Sequence, residues 1–368
     1  MKPAASYPIG DHEQASQGAR HLPVLDGLRG IAALAVLIYH ITWPLGYESI
    51  VPRGYLAVDL FFVLSGVVIA HVYDDRLRAG MTLGDFSLRR LIRLYPLIVL
   101  GALMGATVTL GDQVLAQALA LGEVTRNLLL ALLLLPFGSS PDNDYVFPTI
   151  GPLWSLHFEL VINLVFAATF RIWTKPAIAA LVVFALWGLG LHAMVLGSVD
   201  GGGQHGEYAV GLLRVSFGFF AGVLLRRCCA FDSDRKYDRA LAYALVAAVL
   251  LAPSARWGAV FDLVAVALVF PAAVYFGARS ADRQGAGVVF AYLGRISYPL
   301  YLTHYPIKRV FQHFQMPLAE HTGLIAISIL IEIAVCLAAA HLALVLYDGP
   351  IRRWLTTLSR RRPQAQTG

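Results

Sequence analysis

The stretch GLRGIAALAVLIYHI, residues 27–41, decides how the rest of the chain is read. It is apolar almost throughout, yet it carries Arg29 and, eleven residues on, His40. At about 100° per residue, eleven steps exceed three helical turns by about 20°. The guanidinium and the imidazole therefore share one helix face, about 16 Å apart along the axis. Ionisable side chains on a membrane-spanning helix are costly, usually face the bundle interior, and mark a functional path.

The composition fits that setting. The chain has 368 residues, 58% hydrophobic and only 14% charged, with a mean hydropathy of +0.65. Many apolar stretches are long enough to cross a bilayer, and they are continuous rather than alternating, which excludes a β-barrel. An all-α polytopic membrane protein is expected, with the lipid bilayer as its first partner. The net charge of +6 does not point to nucleic acid, because Lys and Arg cluster in short loops between apolar segments. Three cysteines, two of them adjacent (Cys228 and Cys229), make no metal or disulfide framework. They lie beside basic residues, hence in the reducing cytosol. The first 22 residues are polar and lack a signal-peptide pattern, so the first apolar segment reads as a retained span.

Ten spans are expected, at 24–43, 54–73, 94–110, 152–171, 176–196, 209–226, 239–252, 257–278, 288–307 and 323–346. Basic residues set the orientation. Arg76, Arg78, Arg89, Arg90 and Arg93 lie in the loop 74–93, Arg171 and Lys175 in the next, and Arg352, Arg353 and Arg360 to Arg362 in the tail. All belong in the cytosol, although Lys308 and Arg309 break the pattern on the opposite side. With both termini cytosolic the number of crossings is even. The region 111–151, with its short apolar run LLLALLLLPFG at 128–138 behind Arg126, must then cross zero times or twice. A re-entrant or laterally packed segment on the outer side is expected, next to a cavity open outward, since irregular backbone at membrane depth has to be covered. The organisation is a cytosolic tail 1–22, one membrane domain 23–347 and a basic cytosolic tail 348–368. There is no internal repeat, low-complexity segment or second soluble domain.

Several residues admit two readings. His40 is a general base, poised near neutral pH, or an interhelical hydrogen-bond partner. Arg29 is functional, or snorkels at the helix end with Asp26 holding it. Asp59 in GYLAVDLFFVLSG (54–66) is a structural partner for an arginine or a proton-handling group. In LRRLIRLYP (88–96), Arg89, Arg90 and Arg93 suit phosphate oxygens or anchor the helix at anionic headgroups. In PLWSLHFEL (152–160), Glu159 is expected near the outer third of its span. There it would contact a sugar hydroxyl or pair with His40 or Arg126, while His157 is structural. In GRISYPLYLTHYP (294–306), Tyr298, Tyr301 and His304 form a membrane belt or a sugar-stacking surface. YDGPIRRW (347–354) reads as a topological stop. The motifs of hydrolases with a serine elbow, P-loop ATPases and zinc proteases are missing, so no metal is expected.

Taken together, these stretches resemble the acyltransferase-3 family of integral-membrane O-acyltransferases. The resemblance rests on Arg29 and His40 with ten residues between them, on the block 54–66, and on Arg89, Arg90, Arg93 and Pro96. It continues with LWSLHFE at 153–159 and the late S-Y-x-x-Y-L-x-H pattern at 297–304. The order is right and the motifs spread over nearly the whole chain. Asp348 stands where the family usually has Glu, and the soluble hydrolase-like domain of some members is absent.

The resemblance implies transfer of an acyl group, usually acetyl from acetyl-coenzyme A, to a hydroxyl of a surface glycan or lipid-linked sugar, and sometimes of a small molecule. It implies coenzyme A phosphates at Arg89, Arg90 and Arg93, with Arg29 deeper along the path. Catalysis would fall to His40, Arg29 and Glu159, with His40 as base, and a covalent acyl-His40 relay is the rival mechanism. Asp59, Arg126, Trp154, Tyr298, Tyr301 and His304 are the candidates for acceptor binding. The location implied is the bacterial inner membrane. The competing class is a proton-coupled secondary transporter, relaying protons through His40, Asp59 and Glu159. Such proteins tend to show duplicated halves, and no such symmetry is present. Release of free coenzyme A separates the two.

Overall fold

The computed structural model describes residues 22–47, 50–117, 119–140, 144–231, 237–253, 258–280, 287–318 and 322–360. Most of the N-terminal tail, the end of the C-terminal tail, and the basic positions Arg235, Lys236, Arg283, Arg361 and Arg362 lie outside them.

The described chain is helical. Its elements are α1 (Pro23–Thr42), α2 (Ala57–Arg78), α3 (Leu83–Leu115), α4 (Leu121–Leu132), α5 (Leu153–Ala168), α6 (Lys175–Leu196) and α7 (Tyr208–Cys228). They continue with α8 (Asp238–Leu250), α9 (Gly258–Val264), α10 (Phe270–Arg279), α11 (Val288–Leu318), α12 (Thr322–Leu342) and α13 (Gly349–Arg360). π-turns at Ala265–Val269 and Ala343–Asp348 fuse α9 to α10 and α12 to α13. Among the described residues the one β-contact is an isolated bridge between Tyr145 and Gln204.

Each expected span falls on a helix. Seven helices are long and apolar enough to cross a membrane, and Leu153–Ala168 is a shorter apolar one. α8, with 13 residues, and α11, with internal charge, are not among the seven. The molecule is thus a helical polytopic membrane protein. Val183, Phe184 and Trp187 of α6 are exposed, as befits a lipid-facing helix.

Local chemistry sets the helix ends. The Thr82 hydroxyl oxygen accepts from the Asp85 N–H at 3.1 Å to start α3, and Thr174 does the same for α6. Gly197, at φ 76°, ends α6 in the left-handed conformation that favours glycine. Small residues let backbones meet. A β-carbon on Gly66 of α2 would lie 1.9 Å from the Phe219 carbonyl oxygen of α7, so only glycine permits that crossing.

The region 111–151 differs in kind from the other connections. α4 has 12 residues, about 18 Å of helix, too short for a bilayer core of about 30 Å. Its last turn is tied to the middle of α3 by the Tyr95 hydroxyl, which donates to the Leu132 carbonyl oxygen. The described residues between α4 and α5 form no helix, and there Val146 N–H donates to Gly203 O and His205 N–H to Asp144 O.

Two buried ion pairs fasten the end of the bundle where α1 finishes. Arg214 is fully buried and grips both Asp59 oxygens, at 3.1 and 2.7 Å. It also donates to Asp200 Oδ1, Gly201 O and Tyr55 O, and stacks 5.3 Å from the Trp154 ring. Arg53 pairs with Asp262, whose second oxygen accepts from Tyr55 and Ser198.

Candidate active site

α1 and α11 run parallel and form the spine of the site. A β-carbon on Gly30 would lie 2.6 Å from Leu293 Cβ and 2.8 Å from Gly294 N, and one on Gly294 would lie 2.5 Å from Asp26 O. Gly30 and Gly294 are 264 positions apart, the same separation as His40 and His304. The backbones touch at the glycines, and ten residues later the imidazoles meet in register.

His40 Nδ1 lies 2.9 Å from His304 Nε2, with the rings stacked 5.1 Å apart at 16°. His304 is 1% exposed, and its Nδ1 lies 2.9 Å from Leu300 O. His40 is half-buried, and its Nε2 makes no hydrogen bond to a described residue. Tyr305 stands edge-on to His40 at 5.8 Å. One turn beyond His304, the Lys308 ammonium lies 5.1 Å over the Tyr305 ring. A step deeper, the Tyr301 hydroxyl lies 2.6 Å from Ser155 Oγ.

About 16 Å below His40 along α1, a second cluster gathers. Arg29 Nη1 donates to Asp26 Oδ1 at 2.9 Å. Arg90 Nη2 donates to Glu159 Oε1 at 3.0 Å, and Ser65 Oγ donates to that oxygen at 2.9 Å. Arg352 donates to Asp348 at 3.1 Å, and the Tyr298 hydroxyl to Leu94 O at 2.7 Å. Arg93 lies within electrostatic reach of Arg29, Arg90, Tyr298, Asp348 and Arg352. It hydrogen-bonds to no described protein group. Four guanidinium groups thus face three carboxylates, Arg93 carries the unpaired charge, and exposed Arg89 adds another. Planar forks of this kind suit phosphate oxygens.

Several positions differ from the sequence expectation. Glu159 belongs to the lower cluster and pairs with Arg90, rather than lying in the outer third beside His40 or Arg126. α5 starts deep, with Ser155 already level with Tyr301 in mid-α11, so Glu159 reaches the depth of Arg90. Asp59 stands apart from both clusters, sealed at 1% exposure with both oxygens taken by Arg214. That is the arginine partnership the sequence left open, and Trp154 packs against the same Arg214. Arg126 is exposed on α4 and donates to Ser139, away from His40. Tyr301 and His304 are buried rather than displayed as a stacking surface. His157 uses both ring nitrogens, on Leu134 O at 2.8 Å and on the Tyr208 hydroxyl at 3.1 Å. The sequence reading missed the part of Asp348 and Arg352, which stand beside Arg93. It also missed Arg214, whose signal was a lone arginine inside an apolar span, as telling as Arg29. Among the described residues no group of three or more His, Cys, Asp or Glu side chains is placed to hold a metal ion.

Comparison with known proteins agrees with the motifs. The family model described as an acyltransferase domain matches residues 22–348. A Rhizobium radiobacter protein named "Protein 2 in picA locus" is 38% identical over 154 residues, covering 39% of this chain and 80% of that protein. A Staphylococcus aureus (strain COL) protein, provisionally named as an O-acetyltransferase, is 40% identical over 97 residues, covering 25% of this chain and 15% of its own length. A Bacillus subtilis (strain 168) protein, provisionally named as a peptidoglycan O-acetyltransferase, is 39% identical over 85 residues, 22% of this chain and 12% of that protein. No solved structure matches. With the family model spanning nearly all of the described helices, and the spaced Arg29 and His40 standing on the helix that anchors the bundle, the chain belongs to the acyltransferase-3 family of membrane acyltransferases.

Proposed function

We propose that this acyltransferase moves an acetyl group from acetyl-coenzyme A, entering from the cytosol, to a hydroxyl of a cell-surface or lipid-linked glycan, with His40 as general base. The observation that carries the proposal is the vertical arrangement on α1. An arginine cluster stands at its start, with Arg93 hydrogen-bonded to no described residue, and a half-buried imidazole whose Nε2 likewise has no partner among the described residues stands about 16 Å higher on the same face. Arg93, with Arg89 and Arg352 beside it, would hold the phosphates of the donor, and Arg29 would line the way inward. Arg90 is already engaged by Glu159, so both act by shaping the cluster. The acceptor would reach His40 from the opposite end, past Tyr39, Tyr305 and Lys308. A thioester is already activated, so positioning together with a base worth about 10²–10⁴-fold is enough chemistry.

The topology that goes with this reading places both termini in the cytosol of a bacterium and the protein in its inner membrane. Residues 111–151 then enter and leave on the outer side. Support comes from α4, too short to cross, and from the bonds that tie Asp144 and Val146 to the loop before α7.

The test is thiol release from acetyl-coenzyme A by purified protein in detergent, with extracted envelope glycans and lipids as acceptors, wild type beside His40→Ala. Acceptor-dependent release that vanishes in the variant supports the reading. Wild-type release by the variant removes His40 from the mechanism.

A further inference from the structure

We infer that His304 is a positioning residue: it fixes the tautomer of His40 and thereby makes Nε2 of His40 the basic nitrogen. The inference rests on the proposed role of His40 as base.

The argument is one of hydrogen-bond polarity. A backbone carbonyl oxygen only accepts, so the 2.9 Å contact between His304 Nδ1 and Leu300 O places a proton on that Nδ1. A neutral imidazole has one N–H, so His304 Nε2 is an acceptor. His40 Nδ1, at 2.9 Å from it, must then donate, and the lone pair of His40 is left on Nε2. Reversing the His40 tautomer would press two lone pairs together at that distance. Protonating His304 a second time would put a cation at a site 1% exposed. No carboxylate hydrogen-bonds it there, and Lys308 of the same sign stands one turn away and within reach.

The remaining groups around the pair do not compete. Tyr39, Tyr301 and Tyr305 meet the two imidazoles through ring contacts. Glu332 is held by Gln315 at 2.7 Å. The chain from His40 through His304 to Leu300 O therefore has one polarity and one open end.

That open end is where the reaction needs it. The acceptor O–H bond breaks and its proton goes to His40 Nε2 while the oxygen bonds the thioester carbonyl carbon. The carbon–sulfur bond then breaks, and the proton passes from Nε2 to the departing sulfur, giving the ester and free thiol. Between these events His40 is an imidazolium, and its Nδ1–H bond to His304 becomes charge-assisted and stronger. His304 itself neither gains nor loses a proton. The acceptor hydroxyl must approach the edge of His40 turned away from α11.

The test compares His304→Leu with His304→Gln in the full chain, using acetyl-coenzyme A and envelope glycan extract, with kcat and KM measured separately. Leu removes the acceptor, whereas Gln brings its carbonyl oxygen near the place of Nε2. A hydrogen bond to a charged group is lost with Leu, so kcat should fall about ten- to a hundredfold, with KM for acetyl-coenzyme A unchanged. Gln should restore most of the loss. Wild-type kcat in the Leu variant overturns the inference. So does a Gln variant as impaired as Leu, or a loss confined to KM. An active His40→Ala protein would instead remove the reading beneath it, whatever His304 does.

Discussion

The Arg214–Asp59 pair separates structural charge from chemical charge. Replacing Arg214 by Met leaves Asp59 with no donor among the described residues, because each hydrogen bond they make to its carboxylate comes from that guanidinium. Breaking a buried pair from one side costs about 3–5 kcal/mol, and this variant belongs at the upper end. Asp200, the other carboxylate on Arg214, is half exposed, so water replaces the lost contact and little is added there. Replacing Asp59 by Asn is milder, since Arg214 keeps Asp200, Gly201 O and Tyr55 O, and about 3 kcal/mol is expected. The double variant, Asp59→Leu with Arg214→Met, removes both charges. It should recover much of the loss, because apolar replacement of a buried pair is often close to neutral. The assay is the thermal midpoint in detergent, with acceptor KM measured on whatever remains folded. A double variant no more stable than Arg214→Met would refute the reasoning. So would an Asp59→Asn protein of unchanged midpoint whose acceptor KM has risen, which would return Asp59 to the acceptor site.

Arg93→Gln should raise KM for acetyl-coenzyme A about ten- to a hundredfold, the worth of one charge-assisted contact, while leaving the thermal midpoint alone; unchanged KM would demote the cluster to a topology signal. Ser140→Cys, in a background with Cys228, Cys229 and Cys336 replaced, should react with an impermeant thiol reagent from the periplasmic side; labelling from the cytosol alone would break the orientation. Gly30→Val should lower kcat without touching either imidazole, because its side chain meets Leu293 and Gly294 and shifts His40 against His304; full activity would mean that the register does not matter. Glu159→Gln should weaken donor binding through Arg90 rather than abolish turnover, and a complete loss of kcat with normal donor affinity would restore Glu159 to the chemistry.

Much of the fold is legible in the sequence, because apolar length and basic loops report directly on bilayer thickness and on the cost of moving charge. The shared face of Arg29 and His40 is legible for the same local reason, since helical periodicity fixes it. What meets that face is not. The contact between His40 and His304 depends on Gly30 and Gly294 bringing two helices together across 264 positions, and no local pattern encodes that register. Glu159 was misplaced because the start of α5 sits beside the middle of α11, where Ser155 meets Tyr301, and hydropathy does not report which helices an apolar stretch packs against. Arg214 and Asp59 were both visible as charges inside apolar spans, but two such charges do not announce that they are partners.

Most buried and half-buried arginines are paired, and Lys308, buried beside the histidine pair, hydrogen-bonds to no described residue. Arg53, Arg214, Arg227 and Arg309 are each bound to at least one carboxylate, and in low dielectric a paired charge is held in place and withdrawn from reaction. Arg93 and the Nε2 edge of His40 are the exceptions along the α1 face. Among the described residues, one is a cation with no hydrogen-bond acceptor and the other a base with no donor. In the proposed reaction a phosphate-bearing thioester and a hydroxyl would be the partners of these two groups, one from each end of the same helix. The same geometry disfavours a transporter, which has to open each charge to both sides in turn. Here Arg29 and His40 stand on one unbroken helix, whose rise sets their separation.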